Sequence, residues 1–191
     1  ASSAAVPGTY TVTITGKSGG LSHPVPITLV IDSTISTASV TTTQGGPWIN
    51  TAFPSHTGTF TVTFDADPSD YNVNAEVGLS SGAQTADSGF PVLLRFDPSG
   101  YIDAINGSSF TQSNITYLWA MGAVTNHFRV VVNLSTHTYS AYVSVPYSND
   151  SAEKTIGTNL KFNSSQSSVT KLTSWGAVSA VGTETVSNFG Y

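Results

Sequence analysis

Apolar residues recur at every second position through most of this chain, and Thr59-Phe60-Thr61-Val62-Thr63-Phe64-Asp65-Ala66 shows the pattern most plainly. Successive side chains of a strand point to opposite sides of a sheet, so this alternation of aromatic or β-branched residues with Thr and Ser predicts half-buried strands. Helical spacing, with apolar residues three and four apart, is almost absent. The clearest predicted strands are Thr9 to Thr15, Ile27 to Ile31, Gly58 to Ala66, Asn74 to Leu79, Val92 to Phe96, Tyr101 to Ile105, Asn126 to Asn133, Thr138 to Val145, Val169 to Leu172 and Glu184 to Phe189. Turn chemistry separates them at Lys17-Ser18-Gly19-Gly20, Asp67-Pro68-Ser69-Asp70, Asp97-Pro98-Ser99-Gly100 and Asn133 to His137. Many short strands with regular turns predict an all-β fold, two antiparallel sheets packed as a sandwich.

The alternation also assigns faces. In the hairpin formed by His127 to Val132 and Tyr139 to Val143, Phe128, Val130 and Val132 should enter the core from one arm, and Tyr139, Ala141 and Val143 from the other. His127 and Arg129 then share the opposite face. The Ser/Thr-rich stretch from Asp32 to Gly46 reads as a linker or a meandering edge strand. The residues before it hold only two strands, and a lone two-stranded hairpin is marginal in water, so those strands need partners elsewhere.

Composition narrows the class. The 191 residues include 28 Ser and 27 Thr, no Cys, and only 9% charged side chains, so surface polarity comes from hydroxyls. That is the composition of a secreted, extracellular β protein without a disulfide scaffold or thiolate metal site. A net charge of −5, with six scattered basic residues, excludes the concentrated cationic surface that duplex nucleic acid or an anionic membrane requires. The chain holds no apolar run long enough for a transmembrane helix, and Ala1 to Gly8 lacks the features of a signal peptide.

Several blocks together carry a family resemblance. Thr59 to Ala66, Val77 to Ser80, Arg95 to Gly100, Ile102 to Ala104, Asn106-Gly107, His127 to Val132, His137 to Val143, Thr155 to Asn159, Leu172 to Trp175 and Val186 to Phe189 resemble a laminin-G-like, or concanavalin-A-like, module. The resemblance covers roughly residues 47 to 190 and implies a jelly-roll sandwich of the kind found in large secreted bacterial proteins, often polysaccharide-degrading ones. Separately, Pro7 to Gly16 and Leu21 to Ile31 resemble the last two strands of a bacterial immunoglobulin-like domain. The expected organisation is therefore an immunoglobulin-like strand pair at 1–31, a linker at 32–46 and the sandwich at 47–191. The resemblance further implies that one structural calcium ion is possible, and Asp65, Asp67 and Asp70 form the densest oxygen cluster for it. No other cofactor is expected.

Glycan binding needs flat aromatic rings against sugar CH faces beside hydrogen-bonding groups. Trp48, Trp119, Tyr117 and Tyr147 are the candidates, with Tyr71 in another predicted loop. A polysaccharide lyase would instead need a Tyr or His base beside an Arg that neutralises a sugar carboxylate, and His127, Arg129 and Tyr139 are the available set. The carboxylates show no strand-spaced pair suited to glycoside hydrolysis, because Pro68 turns the chain after Asp65 and Asp67. Five sequons, at Asn106, Asn114, Asn133, Asn149 and Asn163, fall in predicted turns or strand ends and are candidate glycosylation sites. The leading expectation is a non-catalytic carbohydrate-binding or adhesion module whose partner is a polysaccharide or glycan. The alternatives are a subunit of an extracellular filament or surface layer, in which identical subunits join through N-terminal strand addition, and a polysaccharide lyase or hydrolase.

Overall fold

The computed structural model describes residues 8–31, 38–119, 125–145 and 152–191. It is all-β. The strands are β1 (Gly8–Ser18), β2 (Leu21–Ile31), β3 (Val40–Thr41), β4 (Ile49–His56), β5 (Thr59–Pro68), β6 (Asn74–Ser80) and β7 (Val92–Phe96). They continue with β8 (Tyr101–Asn106), β9 (Ser109–Thr116), β10 (Asn126–Asn133), β11 (Thr138–Ser144), β12 (Lys154–Lys161), β13 (Leu172–Val181) and β14 (Glu184–Gly190).

Two six-stranded sheets carry the sandwich, in the orders β12-β11-β10-β5-β14-β3 and β4-β13-β6-β7-β8-β9. All strand pairings within them are antiparallel. The alternation placed the faces correctly: Phe128, Val130, Val132, Tyr139, Ala141 and Val143 are all buried, as are Val62, Phe64 and Ala66 on the neighbouring β5. These side chains meet Ala75, Val77, Leu79, Leu94 and Phe96 of the second sheet in one continuous core. An aromatic seam runs through it, with Phe64 stacked on Phe128 at 5.0 Å and Phe189 on Trp175 at 4.8 Å between ring centroids. Burial of this apolar surface supplies most of the driving force for a chain so poor in charge.

Two glycines explain a second, smaller packing feature. Gly78 and Gly176 are register partners on β6 and β13. A Cβ at Gly78 would lie 2.6 Å from the Phe90 ring and one at Gly176 would lie 3.0 Å from it, so only glycine lets Phe90 lie down on the sheet. Trp48 then stacks on Phe90 at 4.1 Å.

The stretch 32–46 is more than a spacer where it is described. Val40 and Thr41 form β3 on the edge of the first sheet, paired with β14. Thr42 is buried, and its backbone N–H and side chain both engage Glu184. Within the stretch read as a linker or edge strand, Val40 and Thr41 are therefore an edge strand of the first sheet, and Thr42 is tied to β14 beside it. β1 and β2 form a separate two-stranded sheet and pair with no other strand among the described residues.

Candidate functional site

The candidate site is built by two loops that leave β5 and β9. Tyr71 follows the Asp67 to Asp70 turn and is 58% exposed; Trp119 follows β9 and is 39% exposed. Their rings meet with centroids 5.7 Å apart at 55°. Two exposed aromatic rings in contact form a stacking surface, and two buried polar side chains fix the backbone that carries them.

Tyr117 is the first. It is 5% exposed, and its hydroxyl donates to the Tyr71 carbonyl at 2.7 Å, with the Asp97 carbonyl 3.1 Å away. Its ring packs edge-on against Phe96 at 4.7 Å. Burial, assisted by the Asp97 and Asp70 charges, pushes the Tyr117 phenol well up, so it stays a hydrogen-bond donor. Asn126 is the second, with no exposed surface: its amide donates to the Ala66 and Leu118 carbonyls at 3.1 and 2.9 Å, and its carbonyl oxygen accepts the Leu118 N–H at 3.0 Å. Tyr117 thus holds the backbone under Tyr71, and Asn126 holds the backbone beside Trp119. The 97–100 turn joins the same loop end through Tyr117, and its Ser99 hydroxyl accepts from the Gln112 amide of β9 at 3.1 Å. Such an arrangement can stack a sugar ring and offer hydrogen bonds at its rim.

The sequence-predicted aromatic residues separate accordingly. Trp119 is on the surface. Tyr117 is not a platform but the buried pin beneath one, because its hydroxyl finds two carbonyls inside the loop. Trp48 is partly buried against Phe90 and packs on the core, which takes its face from solvent. Tyr147 lies outside the described residues. Tyr71 and Asn126 complete the site; Tyr71 was visible only as a loop aromatic, and Asn126 carried no sequence signal, because its role depends on joining Leu118 to the Ala66 carbonyl, 60 residues away in the chain.

The lyase set does not assemble. Tyr139 is 1% exposed and its hydroxyl donates to the Leu93 and Ile105 carbonyls of the opposite sheet, at 3.3 and 2.5 Å. His127 and Arg129 occupy the outer face of β10, as the alternation requires. There His127 lies 2.6 Å from Asp65, which also accepts from Asn188 at 2.7 Å. Arg129 makes a bidentate pair with Glu153 at 2.7 and 2.5 Å and lies 4.0 Å over the Tyr142 ring. The pair holds Glu153 below its ordinary carboxylate range and Arg129 above its own value. A Tyr base on one side of the sheet cannot act with an Arg on the other.

Asp65, Asp67 and Asp70 do not converge. Asp65 is engaged by His127 and Asn188, and Asp70 accepts the N–H of Tyr71 at 2.7 Å. Burial raises Asp67, whose Oδ1 is buried without a hydrogen-bond partner among the described residues. Among the described residues no group of three or more His, Asp or Glu side chains is placed to hold a metal ion. Of the sequons, Asn106 and Asn114 are exposed and Asn133 is half-buried in its turn. Asn163 is corrected: it is 9% exposed, and the amide nitrogen that a glycan would occupy donates to the Asp87 carbonyl at 3.1 Å. Asn149 lies outside the described residues.

No family model matches the chain. A gellan lyase from a Bacillus species is 33% identical over 87 residues, 44% of this chain and 3% of that protein's length. Among solved structures, a sialidase superposes with a TM-score of 0.55 over 80% of this chain and 15% of the sialidase, at 11% identity. The lectin UEA-II, complexed with galactose, superposes with a TM-score of 0.50 over 97% of this chain and 93% of the lectin, at 9% identity. The chain therefore spans a small part of the gellan lyase and the sialidase but nearly the whole of a lectin, and it has the two-sheet jelly-roll architecture of the lectin sandwiches.

Proposed function

We propose that this chain is a non-catalytic, extracellular glycan-binding module, laminin-G-like in its sandwich, that holds a polysaccharide on the Tyr71 and Trp119 rings. The carrying observation is the pinning of two exposed rings by two buried side chains, Tyr117 and Asn126. Preorganised rings lose little entropy on binding, and each stacked ring adds affinity. The lectin architecture supports this reading, as does the separation of His127 and Arg129 from Tyr139. The gellan lyase likeness makes gellan the first polysaccharide to try, with galactose-bearing glycans second.

Titration calorimetry of the whole chain against gellan and a glycan array tests it. The expected result is saturable binding that Trp119→Ala and Tyr71→Ala each weaken by about tenfold, a loss of roughly 1.4 kcal/mol, with an unchanged circular dichroism spectrum. No binding to any glycan, or variants that bind like the parent, overturns it. Product release from gellan by the chain alone would overturn the non-catalytic part.

A further inference from the structure

The N-terminal hairpin has two edges of different chemistry. β1 and β2 pair without a register break from Gly8↔Ile31 to Ser18↔Leu21, around a two-residue turn in which Gly19 has φ 59°. That angle suits the first central position of a II′ turn, which Gly occupies without strain. In such a hairpin the closing pair exchanges both hydrogen bonds, and the pairs then alternate. Gly16↔His23, Ile14↔Val25 and Val12↔Ile27 are therefore bonded pairs. Thr15↔Pro24, Thr13↔Pro26 and Thr11↔Thr28 are not, so their backbone groups point outward.

Pro24 and Pro26 thus fall where β2 would otherwise offer N–H groups to a further strand. They close that edge without removing a bond from the hairpin. The β1 edge carries no such block: Thr11, Thr13 and Thr15 keep their outward N–H and C=O groups, and their side chains are exposed. Among the described residues, one flank of this two-stranded sheet is sealed and the other is open to strand addition.

We infer that the open β1 edge pairs with β1 of a second copy of this chain, antiparallel about a two-fold axis through Val12. The occupant follows from the edge itself. Between Thr9 and Gly16 the strand has no charge, and about Val12 its alternation is its own reverse. In that register Thr11 faces Thr13 of the copy and Val12 faces Val12, so hydroxyls meet hydroxyls and β-branched side chains meet each other. The arrangement is isologous, and it closes after two copies because the outer β2 edges are sealed by proline. It also joins Val12, Ile14, Val25 and Ile27, which are 44–57% exposed in one copy, into one apolar face across four strands. This inference stands apart from the glycan reading, since it involves none of the residues around Tyr71 and Trp119.

Sedimentation of the full chain over a concentration series, together with Val12→Cys in this cysteine-free protein, tests it. The expected mass rises with concentration from 19.9 kDa towards twice that value. Thr13→Pro, which removes an outward N–H but none used by β2, should weaken association by about tenfold or more, while Thr28→Pro on the sealed edge should not. Mild oxidation of Val12→Cys should give a covalent dimer, because unbonded antiparallel pairs hold Cα atoms about 4.5 Å apart, within disulfide reach. A monomer at every concentration overturns the inference. So does preferential cross-linking of Val25→Cys over Val12→Cys, which would mean that the hairpins stack face to face.

Discussion

Two strands of this chain have nearly the same sequence and opposite fates. Thr9-Tyr10-Thr11-Val12-Thr13-Ile14-Thr15 in β1 parallels Thr59-Phe60-Thr61-Val62-Thr63-Phe64-Asp65 in β5. Both are strands, and both alternate. Yet Val62 and Phe64 are 0% and 2% exposed, whereas Val12 and Ile14 are 44% and 57% exposed. β5 sits between β10 and β14 with a second sheet beneath it; β1 has one neighbour and nothing over its apolar face among the described residues. A local pattern specifies the strand and which face is apolar, but only a long-range partner takes that face out of water.

The sharpest way to break the comparison is to truncate matched positions. Phe64→Ala should cost about 3–5 kcal/mol of unfolding free energy, because it opens a cavity between Phe128 and Phe189. Ile14→Ala should cost less than about 0.5 kcal/mol in dilute solution. Denaturant midpoints measure both, and equal costs would show that the hairpin face is covered in the native state.

A change of pH should also affect the sandwich alone. Burial first, then the Asp87 charge, pushes Glu76 up to about 7 against the lowering effect of Arg95. Burial and Glu76 push Glu184 well above its ordinary value. Neither carboxyl oxygen of Glu184 has a hydrogen-bond partner among the described residues. The folded state therefore keeps protons that the unfolded chain releases near the ordinary value of 4.5. Stability is full below that pH and is lost as pH rises through about 7. Glu76 alone should contribute a loss on the order of 3 kcal/mol between pH 5 and 8, Glu184 adds to it in the same direction, and Glu76→Gln with Glu184→Gln should flatten the profile. A midpoint that rises across this range contradicts the assignment.

Smaller effects sharpen the picture of the site and the surface. Tyr117→Phe removes the bond that holds the loop beneath Tyr71, and should lower stability by about 1–2 kcal/mol and weaken glycan affinity while leaving both exposed rings in place. Arg129→Ala breaks an exposed pair with Glu153 and should cost less than about 1 kcal/mol, with little change in midpoint on adding salt.

The strands that sequence reasoning did not identify, or in β3 left open between linker and edge strand, share a position. β3, β4, β9 and β12 are the four edges of the two sheets. An edge strand is wetted on more than one side, so its alternation is diluted: β9 reads Ser-Phe-Thr-Gln-Ser-Asn-Ile-Thr, with only Ser113 buried. Interior strands β5, β6, β7, β8, β10, β11 and β14 were legible because their inner positions must be apolar. The exception is β13, expected at 169–172 and found at Leu172–Val181, where Gly176 stands on a face that Phe90 covers and so breaks the run. The site was half legible for the same reason. An exposed Trp in a loop is visible in a sequence; the reason that it stays exposed, namely Tyr117 reaching the Tyr71 carbonyl and Asn126 reaching the Ala66 carbonyl, spans 46 and 60 residues.

By itself, the sequence determined an all-β chain, the inner face of each interior strand, the hydroxyl-rich and charge-poor surface, and the placement of His127 and Arg129 opposite the core. These follow from the two-residue period of an extended backbone and from the cost of leaving apolar side chains in water, both of which act locally. The tertiary structure alone decided which alternating strands found a cover, which aromatic residues became pins and which became surfaces, and which partners Tyr139 and Arg129 found on their two sides of the sheet. Those outcomes depend on carbonyls and rings brought together from distant parts of the chain, and no local pattern carries that information.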